Sequence, residues 1–562
     1  MTNRVPRAVA VLAMAAFALP FTLPAQGHGS GNGYGPQLPL SPGNLLVSRT
    51  VYDNRSTNVS VGEPLPPGCV VANVAAGSCV TAQYDGAYPY VFNNAPIDAS
   101  FGITSRIFID QMTPWGWPVS TIEVPNSLDR GVNGEKDQLV TSFSSKSELA
   151  LHLSLDGRYV TFMGYVAPVN AVDVSNSNTP GAVDITNPDG ENFYRAVATM
   201  DRSGHITFTE TNAYSGNNGR ASILNNVGGS NLIYAAGNAG NGSAPQPAGV
   251  VLGAGAQLIE PANVPERAQS PGQPAPVGTF SVTQLGDKAD KVGKDDNFRG
   301  IAVYNNVLYY TKGSGGNGVN TVYFVDTTGT ACPNGAGVPS ATATLPTTAL
   351  AGYDPATGTP NNMCVLNGFP TLSNKAKNAN PVNFPFAIWF ANPTTLYVAD
   401  EGDGYTGGDD LYTHAAAQTN AGLEKWTYAN GTWTMAYVLT NGLDLGTPYT
   451  VKGYPTGSNP GSSPANLPWS PATDGLRNIT GQVNRDGTVT IWATTSTVSG
   501  NGDTGADPNK LVVITDKVDA TTAAEVTNEE FFTLRTASFG EALRGVSFTP
   551  GTGERGFSFP GW

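Results

Sequence analysis

The chain has 562 residues, among them 67 Gly and 42 Pro, with 40% hydrophobic, 9% aromatic and only 13% charged residues. That much apolar surface can offset chain entropy, which excludes a disordered chain, and the turn formers with abundant Thr, Val and Tyr argue for short strands over a helical bundle or coiled coil. The formal net charge of −14 repels nucleic acid and anionic membrane surfaces, and neither is expected as a partner.

Residues 1–25 read as a secretory leader. Arg4 and Arg7 supply the positive start, Ala8 to Leu19 form an apolar run too short to span a bilayer, and Leu23-Pro24-Ala25 offers a cleavage site. No later run is long and apolar enough for a membrane span, so residues 26–562 are expected as one exported domain, secreted or periplasmic and monomeric. The four cysteines agree with export. Local pairing, Cys69 with Cys79 and Cys332 with Cys364, is the simplest of the three connectivities. Zinc is disfavoured, because there is no C-x-x-C and His28, His152, His205 and His414 are scattered.

A repeat runs along the rest of the chain: an apolar strand, a tight turn, a second strand, then a polar loop and another strand pair. Copies open near residues 148, 220, 300, 387 and 479. In the third, Ile301-Ala302-Val303-Tyr304 and Val307-Leu308-Tyr309-Tyr310 flank Asn305-Asn306; Asp156-Gly157 and Asp486-Gly487 mark the same turn elsewhere. Asn, Asp and Gly tolerate positive φ, which makes these pairs hairpin turns. Four-stranded units in regular succession predict a β-propeller, in preference to a two-sheet sandwich.

The ends of the chain predict how the ring closes. Leu543-Arg544-Gly545 repeats the opening Phe298-Arg299-Gly300, yet too little chain follows to finish a blade. Leu45 to Ser48, Ile107 to Asp110 and Val119 to Ile122 supply a second, third and fourth strand, and closure removes the exposed edges. The expected fold is therefore an all-β, six-bladed propeller with long insertions at about 53–104 and 327–385. Seven blades is the alternative, with a degenerate blade hidden in the second insertion.

Two short motifs carry a family resemblance. Ser154-Leu155-Asp156-Gly157-Arg158 resembles the S-x-D-G-[KR] turn of periplasmic TolB and YVTN-like propellers. Leu396-Tyr397-Val398-Ala399-Asp400 with Gly402 resembles the signature of NHL and SMP-30/gluconolactonase-type propellers. Longer runs around Lys146 to Leu151 and Lys294 to Gly300 resemble a group of exported bacterial proteins of unassigned function. The resemblance implies a fold; the gluconolactonase metal ligands have no match here, and a fold does not imply a function.

Chemistry must come from the sites. There is no G-x-S-x-G, H-E-x-x-H or P-loop. Arg220, Arg299, Arg477 and Arg544 all stand at the mouth of a predicted innermost strand, the strand that lines a propeller's channel. They form either a positive funnel for carboxylate or phosphate groups or a set of clamps on neighbours such as Asp295, Asp296, Asp474 and Glu541. Oxygen-rich loops place Asp400, Asp403 and Asp409, then Asp503 and Asp507, after second strands, where calcium is the cation they would suit and plain Asx turns the alternative. Trp115, Trp117, Trp426 and Trp433 offer faces for sugars, although core packing is the default for them as for Trp389 and Trp492.

The leading expectation is an exported propeller that binds an anionic small molecule or acidic glycan at the arginine-lined mouth. One alternative is a hydrolase or lyase on a phosphorylated or uronate substrate, with Glu148, Asp296 or Glu401 as acid or base. The other is a cell-surface scaffold for protein partners. The sequence leaves open whether the protein is an enzyme.

Overall fold

The computed structural model describes residues 39–552 apart from 54, 56, 65–81, 83–101, 130–131, 133–136, 183–190, 239–254, 262–274, 277–296, 314–318, 334, 349, 351–361, 372–381, 463 and 502–503. The leader, the pair Cys69 and Cys79, and Asp295, Asp296 and Asp503 lie outside the described residues.

Six small antiparallel sheets form a six-bladed β-propeller. Blade 1 joins the two ends of the chain, in the order Glu541–Phe548, Leu45–Val51, Thr104–Met112, Pro118–Glu123. The predicted closure is therefore correct strand for strand. Blades 2 to 6 open with His152–Leu153, Gly219–Asn225, Ile301–Tyr304, Pro385–Asn392 and Ala472–Val483, and each continues outward in chain order through its next two strands. The hairpins follow the turn chemistry: Asn305 and Asn306 sit at φ 48° and 60°, Asn430 and Gly431 at 52° and 82°, values that match the twist of the flanking strands.

The insertion at 327–385 is not a seventh blade. Met363–Leu366 pairs with Thr321–Val325 as the fourth strand of blade 4, and the two-residue strand Ala336–Gly337 adds to it in parallel. The Cys332–Cys364 disulfide ties that fourth strand to the loop leading into the added strand, with Cα atoms 5.9 Å apart. Both cysteines are buried, and the fourth-strand residues join the largest apolar cluster with Tyr310, Tyr323 and Phe324.

A recurring hydrogen bond stitches blade to blade. A hydroxyl on a second strand donates to a carbonyl on, or just before, the next blade's inner strand: Ser48 to Leu149 (2.7 Å), Thr161 to Ser222 (2.6 Å), Thr311 to Phe386 (2.6 Å) and Thr494 to Arg544 (2.8 Å). These inner strands approach so closely that a Cβ on Gly300 would lie 2.4 Å from the Phe386 carbonyl oxygen, and one on Gly545 would lie 2.4 Å from that of Leu149. The Arg-Gly pair at positions 299–300 and 544–545 recurs because the backbone contact admits no side chain there.

Candidate functional site at the channel end

Antiparallel pairing puts the start of each inner strand beside the end of the second strand; in blade 5, Pro385 faces Asp400. The arginines and the loop after Asp400 therefore share one end of the channel. Arg220, Arg299 and Arg477 are each 5% exposed and Arg544 2%.

Glu401 is the centre of the group. Its Oε1 lies 3.5 Å from Arg299 Nε, and its Oε2 lies 3.4 Å from Arg477 Nε and 3.7 Å from Lys146 Nζ. The Ser496 hydroxyl, on blade 6, fixes the loop by donating to the Glu401 carbonyl at 2.5 Å. Burial alone would raise the Glu401 pKa, but Lys146, Arg299, Arg477 and Arg220 outweigh it and hold the carboxyl below its ordinary range. The cations respond in the opposite sense. Burial, then Arg299, depresses Arg220 well below the usual guanidinium value; burial depresses Arg299; and Lys146, although pulled up by Glu401, ends below its ordinary value through desolvation and the two neighbouring arginines.

Arg220 donates through Nη1 to the Phe298 carbonyl (2.8 Å) and to the Asn297 side chain. Its buried Nε has no acceptor among the described residues. Glu148, fully buried, lies near enough to Arg220 to raise its pKa. That carboxylate is saturated by donors: Tyr165 hydroxyl (2.5 Å), Thr141 hydroxyl (2.6 Å), Ser142 amide (3.1 Å) and Asn218 amide nitrogen (3.3 Å). Among the described residues, four cations thus face two carboxylates, Glu401 and Glu148, with Asp474 beside them. Burial pushes Asp474 up to about 7, while it accepts from the Gly404 amide at 2.9 Å and from Gln418 at 2.5 Å.

Arg544 stands apart from this group. Its guanidinium donates to the carbonyls of Phe143 and of Gly505, the latter at 2.9 Å, and so clamps blade 1 to two loops. The expected acidic partners also differ: Glu541 serves Arg49 (2.8 Å) and Arg535 (3.8 Å), and Arg477 turns to Glu401 in place of Asp474. Lys146 was not singled out as a ligand. It comes from the loop before blade 2; blades 1, 3, 4 and 6 offer an arginine at the mouth of the inner strand, whereas Leu149 precedes that of blade 2 and Phe386 stands in that of blade 5.

The described residues do not support the calcium expectation. Asp400 accepts the amides of Gly402 (2.8 Å) and Phe384 (2.6 Å), Asp403 pairs with His414 (2.7 Å), Asp409 is exposed, and Asp507 accepts the Tyr454 hydroxyl (2.5 Å). Asp400 has both oxygens on amides, these carboxylates form no converging group among the described residues, and Asp503 lies outside them. Among the described residues the one group with metal-ligand geometry is Asp326 with Cys332 and Cys364, and those sulfurs are joined in the disulfide. Trp426 and Trp433 are core residues, the former stacked on Phe369 at 3.9 Å, and Trp492 is buried as well; Trp389 is half-buried, and Trp115 and Trp117 are exposed.

The fold defines the class, a six-bladed β-propeller. No protein-family model matches the chain, and no curated protein matches it by sequence, so the NHL and SMP-30 likeness stays a resemblance of short motifs. Solved structures similar to it include a variant of the NanB sialidase from Streptococcus pneumoniae (8% identity, 70% of this chain and 60% of that one, TM-score 0.31). An ulvan lyase of a polysaccharide lyase family, bound to -[GlcA(1-4)Rha3S]-, is similar over 86% of this chain and 95% of its own (11% identity, TM-score 0.29). The N-terminal domain of Nup159 aligns over 73% and 92% (8% identity, TM-score 0.24). The chain spans about 60% of the sialidase's length. At such scores no residue role or reaction is carried over.

Proposed function

We propose that the protein is an exported binding propeller that takes the anionic group of an acidic glycan or small molecule at the channel end built around Glu401. The observation that carries this reading is the cluster of buried cations: among the described residues Lys146, Arg220, Arg299 and Arg477 gather around Glu401 and Glu148, and Arg220 keeps a buried Nε without an acceptor. A carboxylate, sulfate or phosphate would relieve the desolvation that depresses these cations, and guanidinium groups suit such planar oxygen pairs. Lys146, with a side chain 37% exposed, is the member of the group that solvent reaches most readily. Of the three candidate bases of the enzymatic reading, Glu148 has every oxygen engaged and Glu401 is committed to three cations, while Asp296 lies outside the described residues. The Cys332–Cys364 disulfide fits an oxidising compartment, in line with export.

Calorimetric titration with sulfate, citrate and oligouronates tests the site. Binding should weaken with salt and fall at least tenfold, about 1.4 kcal/mol, in Arg299→Ala and in Arg220→Met. Folded variants that bind an anion as tightly as the unaltered protein would refute the assignment.

A further inference from the structure

A second polar cluster lies between the outer parts of blades 5 and 6, away from the channel end. Lys425, on the third strand of blade 5 (Gly422–Ala429), and Asp516, on the third strand of blade 6 (Lys510–Lys517), are both fully buried, with Lys425 Nζ 3.0 Å from Asp516 Oδ2. Around them sit Leu423, Ile514, Val526 and Phe531 of one apolar cluster. Two tyrosines converge on the same carboxyl: Tyr437 donates to Oδ1 at 2.7 Å, and Tyr397 donates to Oδ2. The amine is held by the Tyr437 hydroxyl (2.9 Å) and the Lys517 carbonyl, with its nitrogen 5.7 Å and 5.1 Å from the two tyrosine ring centres.

Glu529 completes the arrangement. Its Oε1 accepts the Lys517 amide at 3.2 Å, while Oε2 is buried with no donor among the described residues. Burial first, and then the adjacent Asp516, push this carboxyl up to about 8. The Glu529 carboxyl hydrogen-bonds to that of Asp516, and two carboxyl groups can share such a bond only through a proton.

We infer that Lys425 and Asp516 condense into an amide, a covalent cross-link between blades 5 and 6, with Glu529 as the proton shuttle. Glu529 lends its proton to the Asp516 carboxyl and accepts one from the ammonium, which leaves a neutral amine facing a carboxylic acid. The Nζ lone pair attacks Cγ, made electrophilic by the tyrosine hydroxyls; the N–C bond forms, a C–O bond breaks, and that oxygen leaves as water. Of the three ammonium protons, one stays on the amide, one ends on the water and one restores Glu529, whose lent proton is the water's second, so no oxidant or co-reactant is needed. Fixed geometry supplies the proximity, and burial withholds the water that would reverse the step.

The test is a peptide map by mass spectrometry on the full chain after disulfide reduction. The expected result is one branched peptide containing Lys425 and Asp516, about 18 Da lighter than its two parts because one water is lost. Asp516→Ala should yield the linear peptides, and Glu529→Gln should yield mostly linear peptides from a protein that still melts cooperatively. Linear peptides of full mass from the unaltered, folded protein would overturn the cross-link. Complete cross-linking in Glu529→Gln would overturn the role given to Glu529.

Discussion

Replacing Glu401 with Gln keeps the shape of the side chain and removes the one charge that three cations share. At the observed 3.5 Å and 3.4 Å, each arginine contact amounts to about 4 to 5 kcal/mol of attraction at an effective dielectric of about 20. Much of this is offset, because the carboxylate no longer has to be desolvated and the Gln oxygen still accepts. Lys146 is partly exposed and screened, so it adds little. Breaking one side of a buried ion pair leaves a net loss on the order of 3 to 5 kcal/mol. Denaturant unfolding at neutral pH and low salt should show that loss as a lower midpoint with an unchanged slope. Glu401 should also give the parent protein a pH dependence. Its pKa is depressed on folding, so its stabilisation is present above the unfolded carboxyl range and is lost as pH falls through the folded value; the variant should lack this component. The same substitution should tighten sulfate or oligouronate binding, because the cation excess grows. A variant within about 1 kcal/mol of the parent, or one that binds anions no better, would refute the reasoning.

Three further outcomes are expected. Deleting residues 541–562 removes the inner strand Glu541–Phe548 that pairs with Leu45–Val51, and the truncated chain should lose cooperative unfolding in a thermal scan. Gly300→Ala sets a Cβ against the Phe386 carbonyl and should cost several times more in denaturant stability than Gly487→Ala, which meets open space and pays about 1 kcal/mol for positive φ. Burial raises Asp507 from an ordinary 3.8 to about 7, so the native state holds a proton that the unfolded chain releases; stability should fall as pH rises from about 4 to 7, and Asp507→Asn should flatten part of that slope in pH-dependent unfolding.

The features legible in the sequence are those whose cause is local. Asn305-Asn306 announces its turn because both residues must adopt positive φ. Leu543-Arg544-Gly545 repeats Phe298-Arg299-Gly300 because the same blade contact excludes a Cβ twice, and that repetition exposed the ring closure. The site was only half legible. The arginines recur in register, but Glu401 and Lys146 come from loops of different blades, and only the closed ring brings them together. The calcium expectation has a related weakness: a dense run of Asp shows how many oxygens exist, but not that Asp400 spends both of its own on backbone amides or that Asp507 takes a tyrosine hydroxyl on Oδ1. The Lys425–Asp516 pair left no trace in the sequence, since neither residue lies in a motif and their contact spans two blades.

One register position on the inner strands is put to two uses, and the acceptor distinguishes them. Arg544 directs its guanidinium at two backbone carbonyls, which have no charge to cancel its own and which fix two loops against the closing blade. Arg299 and Arg477 both contact the Glu401 carboxylate, which a lysine also approaches, so among the described residues charge is shared in place of paired one to one. A purely structural cluster would gain by supplying each cation with its own partner, since buried charges are costly when they are unmatched. Arg220 belongs to both uses, with Nη1 on the Phe298 carbonyl and Nε without an acceptor among the described residues. On a chain whose net charge is −14, an anionic group bound at this end, as proposed above, would reduce the excess of cations among the described residues.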